Sequence, residues 1–200
     1  MYDGHEIASH TATHPMMETI SEEEIMEEMV SDKAKLEEIF GREVAGFALP
    51  FSYHDERVYR CSKAAGFAYA RISEVNPDFS IPEDFHRWTG TLFHLDERMD
   101  ETLDAFLATD KELALFQPIG HSYDLDVEEK WDWFENLLKK LQACGDIWPA
   151  THVEIVRYLQ NMEKAVIFED TVINNSNADL WFCINGNTVV VHPGEKEEIK

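Results

Sequence analysis

Strand-like and helix-like segments alternate over residues 4–72, and this alternation constrains the fold more than any other feature of the chain. Short apolar runs at residues 4–10, 44–50 and 67–72 are separated by two segments with helical spacing of apolar side chains. Strands that alternate with helices form parallel sheets, because each helix carries the chain back to begin the next strand in the same direction. The sequence therefore predicts an α/β fold with mostly parallel strands.

The two helices of this segment carry recognisable end signals. Ser21 and Glu24 form a capping box at the start of the first helix, and Gly41 is suited to end it. The second helix is predicted over residues 55–65. The apolar stripe of the first helix, expected to face the core, consists of Ile25, Met26, Met29, Val30, Leu36, Ile39 and Phe40.

The rest of the chain is less regular and ends in a β-rich tail. The predicted elements are an irregular segment at 73–97, a helix at 99–107, a strand at 113–118, a helix capped by Asp126, a strand at 146–148 and a helix that opens at Thr151. In the tail, Asn185-Gly186 between apolar runs predicts a hairpin. We therefore predict an α/β domain over residues 1–164 and a small antiparallel β appendage over residues 165–200.

Composition and charge exclude several classes of protein. The formal net charge is −23, which argues against nucleic-acid phosphates and anionic membranes as partners. Hydrophobic residues make up 44% of the chain, which is enough for a core. Three scattered cysteines suit a reducing compartment. No basic, apolar leader and no run of ~20 apolar residues is found. As written, the chain is expected to be cytoplasmic, with secretion of a longer parent form left open.

Histidines cluster at the end of the first predicted strand. His5, His10 and His14 fall within ten residues, and Pro15 follows. Neutral imidazole is a common ligand of zinc and related metals, and sites in α/β folds are built in loops after strands. The alternative is a surface coincidence, because nine histidines in 200 residues give roughly 0.4 pairs at this spacing by chance.

The stretch Gly4–Pro15, G-H-E-I-x-S-H-T-x-x-H-P, resembles the second motif of the polysaccharide deacetylase family, also called the NodB-homology domain or carbohydrate esterase family four. The resemblance implies that His10 and His14 bind a divalent metal, with zinc expected and cobalt or nickel as alternatives. It implies that His5 is not a ligand. It also implies a (β/α) barrel, here incomplete, acting on acetylated carbohydrate.

Three further segments resemble motifs of the same family. Gly120-His121-Ser122 resembles the fifth motif, which implies that His121 is the catalytic acid toward a departing amine; the local alternative is a structural histidine at a strand end. Pro50 and Phe51 match the end of the third motif and are expected to contact substrate, although Ala48 stands where the family has arginine. Trp148 resembles an aromatic residue of the acetyl pocket, with simple packing as the alternative.

Two family motifs lack counterparts. The first, Thr-Phe-Asp-Asp, would lie upstream of Met1 and would supply a third metal ligand and the catalytic base; the fourth, Asp-x-x-Asp-Trp, is not found. Two histidines alone should bind metal weakly. A base would come from Asp3 or from another chain, and a second subunit could cover the open edge of the sheet.

The motifs therefore support two functions. The first is a metal-dependent hydrolase that removes acetyl groups from an acetylated sugar or polysaccharide. The alternative is a catalytically inactive carbohydrate-binding or interaction remnant of such a domain.

Overall fold

The computed structural model describes residues 2–51 and 53–198 and divides the chain into two compact units, Met1–Pro149 and Ala150–Lys200. The composition of the sequence suggests a boundary between residues 164 and 165. The contacts divide the chain fifteen residues earlier, so the helix that follows Thr151 groups with the C-terminal strands. Within the described ranges, no helix combines the length and the apolar character needed to cross a membrane.

Short strands and longer helices alternate in the first unit. Its strands are β1 (Ala8–Ser9), β2 (Gly46–Ala48), β3 (Tyr69–Val75), β4 (Trp88–Gly90), β5 (Leu92–Phe93) and β6 (Pro118–Ile119). Its helices are α1 (Glu22–Phe40), α2 (Glu56–Ala64), α3 (Met99–Leu107), α4 (Ser122–Val127) and α5 (Trp131–Gln142).

The end signals of α1 and α2 act as the sequence predicts. Ser21 Oγ accepts a hydrogen bond from the Glu24 backbone N–H, and the Ser21 N–H donates to the Glu24 carboxylate at 2.8 Å. Gly41 ends α1 with a φ of 63°, a left-handed conformation that costs glycine little. Asp55 caps α2 by accepting two backbone N–H groups of the first turn.

All strand pairs of the first unit are parallel. Strands β1, β2, β3 and β4 form one sheet in that order, and β5 pairs with β6. The segment 88–93 connects the two groups, because its first half pairs with β3 and its second half with β6. These pairings confirm the α/β class and the parallel sheet, whereas the barrel is not confirmed. β1 lies at an edge of its sheet.

Successive residues of the central strands face opposite sides of the sheet. Phe47, Ala70 and Ile72 are buried on the side that carries the helices, in a core with Ile25 and Met29 of α1. This core confirms the inward position predicted for those two α1 residues. Two other members of the predicted stripe, Val30 and Ile39, are exposed.

The opposite side of the sheet carries Gly46 and Tyr69. A Cβ atom on Gly46 would lie 2.2 Å from the Tyr69 hydroxyl oxygen. The buried Tyr69 donates a hydrogen bond from its hydroxyl to Glu6 Oε1 at 2.7 Å. Glycine at position 46 therefore makes room for a tyrosine that connects β3 to the segment before β1.

Several predictions for the second half of this unit were wrong. The segment 73–97, predicted to be irregular, contains β4 and β5; the predicted strand 113–118 forms only at its end, as β6; and residues 146–148 form no strand. Asp126 lies inside α4 and accepts a hydrogen bond from Trp131 Nε1 instead of capping α5. Strands of two or three residues are too short to show an apolar period, so whether they form depends on the strands with which they pair.

A second core lies beneath β5. Leu92, Met99, Leu103 and Leu137 are buried together, with aromatic residues of α3 and α5 around them. This cluster joins α3 and α5 and supports the strands that lead to residue 120.

The second unit begins with α6 (His152–Met162), which opens with the predicted capping box of Thr151 and Glu154. Its strands are β7 (Ala165–Phe168), β8 (Thr171–Asn174), β9 (Leu180–Ile184), β10 (Asn187–Val191) and β11 (Lys196–Glu198). All of their pairings are antiparallel, in the order β11-β8-β7 and β10-β9. Asn185 and Gly186 both have positive φ in the predicted hairpin turn.

Candidate active site

The loop after β1 brings the two predicted metal ligands together. The ring centroids of His10 and His14 are 4.8 Å apart, with an interplanar angle of 70°. Thr11 and His14 adopt positive φ angles of 69° and 56°, and Thr11 Oγ1 accepts a hydrogen bond from the His14 backbone N–H at 3.1 Å. This tight loop turns the second imidazole back toward the first.

Two carboxylates of α1 hold the same loop. Asp32 Oδ2 accepts hydrogen bonds from Ser9 Oγ at 2.7 Å and from the His10 backbone N–H at 2.9 Å. Glu28 accepts from both the N–H and the hydroxyl of Thr13, at 2.8 and 2.7 Å. The motifs in the sequence predict no role for Glu28 or Asp32. Their spacing of four residues, which places both on one face of a helix, is the signal that could have found them.

The His10 ring has a defined tautomer because its hydrogen-bond partner can only accept. Its Nδ1 lies 2.7 Å from the Ala48 carbonyl oxygen, so Nδ1 carries the proton and Nε2 keeps a lone pair. Burial lowers the pKa of the His10 imidazole, and the nearby His14 and Arg71 contribute in the same direction. A neutral imidazole fixed through its other nitrogen is the usual state of a metal ligand.

Pro50 and Phe51 lie beside this histidine pair, as the third-motif resemblance implies. The ring centroids of Phe51 and His14 are 4.6 Å apart in an edge-to-face arrangement, while Pro50 is buried. Phe51 has a positive φ of 53°, and its carbonyl accepts a hydrogen bond from Ser73 Oγ at 2.7 Å. The aromatic ring is about half exposed and forms one wall of the candidate site.

Arg71 lies on the strand next to Ala48. The two residues are register partners in the parallel pairing of β2 and β3, and the Leu49 N–H donates to the Arg71 carbonyl at 3.0 Å. The resemblance implies an arginine at position 48, where the chain has a methyl side chain. The structure shows that β3 carries an arginine at the neighbouring position.

His121 is placed at the end of β6 and contacts its own helix. Its Nδ1 lies 3.4 Å from Asp124 Oδ2, and its ring stacks on Tyr123 with centroids 4.8 Å apart. The buried His94 approaches the same Asp124 oxygen at 3.4 Å. A Cβ atom on Gly120 would lie 2.3 Å from the His94 ring, so glycine is needed for this close approach.

No hydrogen bond, ion pair or ring contact in the described ranges joins His121 to His10 or His14. β1 belongs to the four-stranded sheet, whereas β6, which leads to His121, pairs with β5 in the two-stranded sheet. Trp148, the predicted aromatic residue of the acetyl pocket, is 55% exposed. The structure thus brings four predicted residues together, namely His10, His14, Pro50 and Phe51.

The residues present satisfy part of a zinc site. Two imidazoles fit two positions of a tetrahedral site, whereas catalytic zinc usually takes three protein ligands. In the part of the chain that the structure describes, no group of three or more His, Cys, Asp or Glu side chains could hold a metal ion. The two carboxylates that contact this loop are already engaged, Asp32 by the Ser9 hydroxyl and the His10 backbone and Glu28 by Thr13.

Comparison with protein families agrees with the motif in this loop. Residues 1–70 match the polysaccharide deacetylase family model. This match contains His10, His14, Pro50 and Phe51, and it confirms the predicted resemblance for 70 of the 200 residues.

Solved structures of deacetylases match part of the chain. They include a Streptococcus pyogenes deacetylase in complex with acetate, at 17% identity and a TM-score of 0.34. A family 4 carbohydrate esterase from Streptomyces lividans in complex with acetate has 19% identity and a TM-score of 0.34. A polysaccharide deacetylase from Bacillus cereus has 30% identity and a TM-score of 0.33.

These matches are partial on both sides. They cover 34%, 37% and 36% of this chain, and the chain spans 30%, 38% and 22% of the respective solved chains. No curated protein matches the chain significantly.

Proposed function

We propose that the first unit is a polysaccharide deacetylase-like domain that removes acetyl groups from an acetylated carbohydrate, with His10 and His14 as ligands of a divalent metal. The match of residues 1–70 to the deacetylase family supports the reaction class. The single observation that supports the site is the pairing of two imidazoles 4.8 Å apart, one of them held through Nδ1 with Nε2 left for a metal.

Each residue of the site has a separate task in this proposal. His10 and His14 would hold the metal, which would supply polarisation of the acetyl carbonyl and activation of water. Phe51, whose ring contacts His14, provides an apolar wall for the acetyl methyl group. His121 is the proposed proton donor to the departing amine, which is too basic to leave unprotonated near neutral pH.

Hydrolysis also needs a third ligand and a base, and these are proposed to come from outside the described residues. Asp3 does not suit this role, because it lies in a turn next to the Tyr2 and His5 carbonyls that Arg42 binds, at the opposite end of β1 from His10.

The alternative function is a carbohydrate-binding remnant without catalysis. It is favoured by one specific observation, namely that the described residues offer no group of three metal-ligating side chains. Such a domain would retain the loop after β1 and the exposed Phe51 ring as a sugar-binding surface.

Calorimetric titration with zinc distinguishes the two functions. Wild-type protein should bind one zinc ion per chain, and His10→Ala and His14→Ala should each weaken this binding at least tenfold because each removes one of two ligands. His192→Ala is the matched control, since His192 is an exposed histidine of the second unit that pairs with Asp179. Binding that changes equally in all three variants would reflect surface histidines and not the proposed site.

Acetate release from acetylated chito-oligosaccharides tests the reaction itself. The deacetylase proposal expects release that requires zinc and is lost in His10→Ala and His14→Ala. His121→Ala should slow release while leaving zinc affinity unchanged. Oligosaccharide binding without any acetate release would support the remnant instead.

A further inference from the structure

The guanidinium of Arg71 lies on the side of the sheet that faces away from the helices. Its neighbours Ala70 and Ile72 are buried in the helical core, so alternation along β3 places Arg71 on the side of Tyr69. Its register partner is Ala48, whose carbonyl holds the His10 ring. Ala48 has only a methyl side chain, so β2 places no charged side chain beside Arg71 at this register position.

Arg71 has no acidic partner within the described residues. Its hydrogen bond there goes from Nη1 to the carbonyl of the adjacent Ile72, at 3.5 Å. Four other arginines each bind a carboxylate at 2.5–2.8 Å: Arg57 with Asp55, Arg60 with Glu22, Arg87 with Glu56 and Arg98 with Asp96. Arg42 also lacks a carboxylate partner in the described ranges, but it is exposed and donates to the carbonyls of Tyr2 and His5. Arg71 is partly buried and has neither kind of partner outside its own strand.

The position of Arg71 makes this lack of a partner costly. The residue is partly buried, and burial lowers the pKa of its guanidinium. A buried cation is unfavourable unless an anion or hydrogen-bond acceptors compensate it. The guanidinium offers a planar fork of N–H donors that matches the two oxygens of a carboxylate.

We propose that Arg71 binds the carboxylate group of a small ligand on this side of the sheet, next to the strand that holds the His10 ring. Two sources can supply this group. One is acetate, which the proposed deacetylation would release, and this source rests on the proposed function. The other is the carboxylate of an acidic sugar, which would make the domain selective for uronic acid-containing carbohydrate and does not require hydrolysis. In both cases the ligand supplies the negative charge that β2 and β3 lack at this position.

Titration of metal-free protein with sodium acetate, glucuronate and glucose at pH 7 and low salt tests the proposal. At least one of the two carboxylates should bind, and glucose should bind at least tenfold more weakly than glucuronate if the sugar source applies. Arg71→Met should weaken carboxylate binding by about tenfold to a hundredfold, because it removes charge-assisted hydrogen bonds. Arg71→Lys should bind carboxylate with an affinity between those of wild type and Arg71→Met, because lysine keeps the charge but lacks the fork of N–H donors.

Arg98→Met is the matched control, because it removes an exposed arginine that is paired with its neighbour Asp96. It should leave carboxylate binding unchanged. If acetate binds at least as tightly as glucuronate, the ligand of Arg71 is the acetate product. If glucuronate binds more tightly, the ligand is an acidic sugar. The proposal is overturned if neither carboxylate binds, or if Arg71→Met binds as wild type does, or if Arg98→Met weakens binding equally.

Thermal unfolding separates ligand binding from a structural role. Without ligand, Arg71→Met should unfold at the same or a higher temperature than wild type, because an uncompensated charge is replaced by an apolar side chain of similar length. A clear decrease in the unfolding temperature, with carboxylate binding retained in Arg71→Lys at wild-type strength, would assign Arg71 a structural role. Since these titrations contain no zinc, their outcome is independent of the metal site.

Discussion

Replacing Asp32 with alanine should destabilise the first unit more than removing a surface charge from α1 does. The carboxylate accepts hydrogen bonds from the fully buried Ser9 hydroxyl and from the His10 N–H, at 2.7 and 2.9 Å. A hydrogen bond to a charged group contributes about 1.5–3 kcal/mol, and the two are not fully additive. The free energy of unfolding should therefore fall by about 2–4 kcal/mol.

Urea unfolding followed by tryptophan fluorescence measures this change. Four of the five tryptophans lie in the first unit, so a Trp181→Phe background restricts the signal to that unit. The midpoint should shift to lower urea while the m-value stays constant. Asp32→Asn retains one acceptor oxygen without the charge and should cost about half as much.

Glu38→Ala serves as the matched control on the same helix. Glu38 pairs with Lys35 at the surface, and both side chains are more than 60% exposed. Such a pair contributes at most about 1 kcal/mol. The reasoning is refuted if Asp32→Ala and Glu38→Ala lower the free energy of unfolding by the same amount, because the loop after β1 would then not depend on α1.

Two further changes test the packing of each unit. Gly46→Ala places a Cβ atom 2.2 Å from the hydroxyl of the buried Tyr69, so thermal unfolding should show a free energy of unfolding lower by about 1–3 kcal/mol. Gly145→Ala, where no atom lies within 4 Å, is the control and should be nearly neutral. Equal losses in the two variants would contradict the argument. Asn174→Ala removes a buried amide that donates to two carbonyls at 2.7 and 2.8 Å. Amide hydrogen exchange in β8–β10 should therefore become faster, with the free energy of local opening lower by about 2–4 kcal/mol. Unchanged exchange there would mean that the amide contributes little.

Helices α1 and α2 could be predicted because their signals are local. Ser21 and Gly41 mark the ends of α1 through side-chain and backbone properties that act within a few residues, and the structure confirms both. The histidine motif was likewise readable, because its residues lie within one loop. The hydrogen bond from the His10 ring to Ala48 was not readable, since it spans 38 residues.

The sequence by itself determined the alternation of strands and helices, the hairpin at Asn185-Gly186 and the proximity of His10 to His14, because each depends on neighbours along the chain. Tertiary structure alone decided that Asp32 holds the histidine loop and that Arg71 lies in register with Ala48. It also decided that β4 and β5 form at all. Strands of two or three residues become stable only when parallel neighbours supply their hydrogen bonds. The local sequence does not indicate which distant segment will be that neighbour.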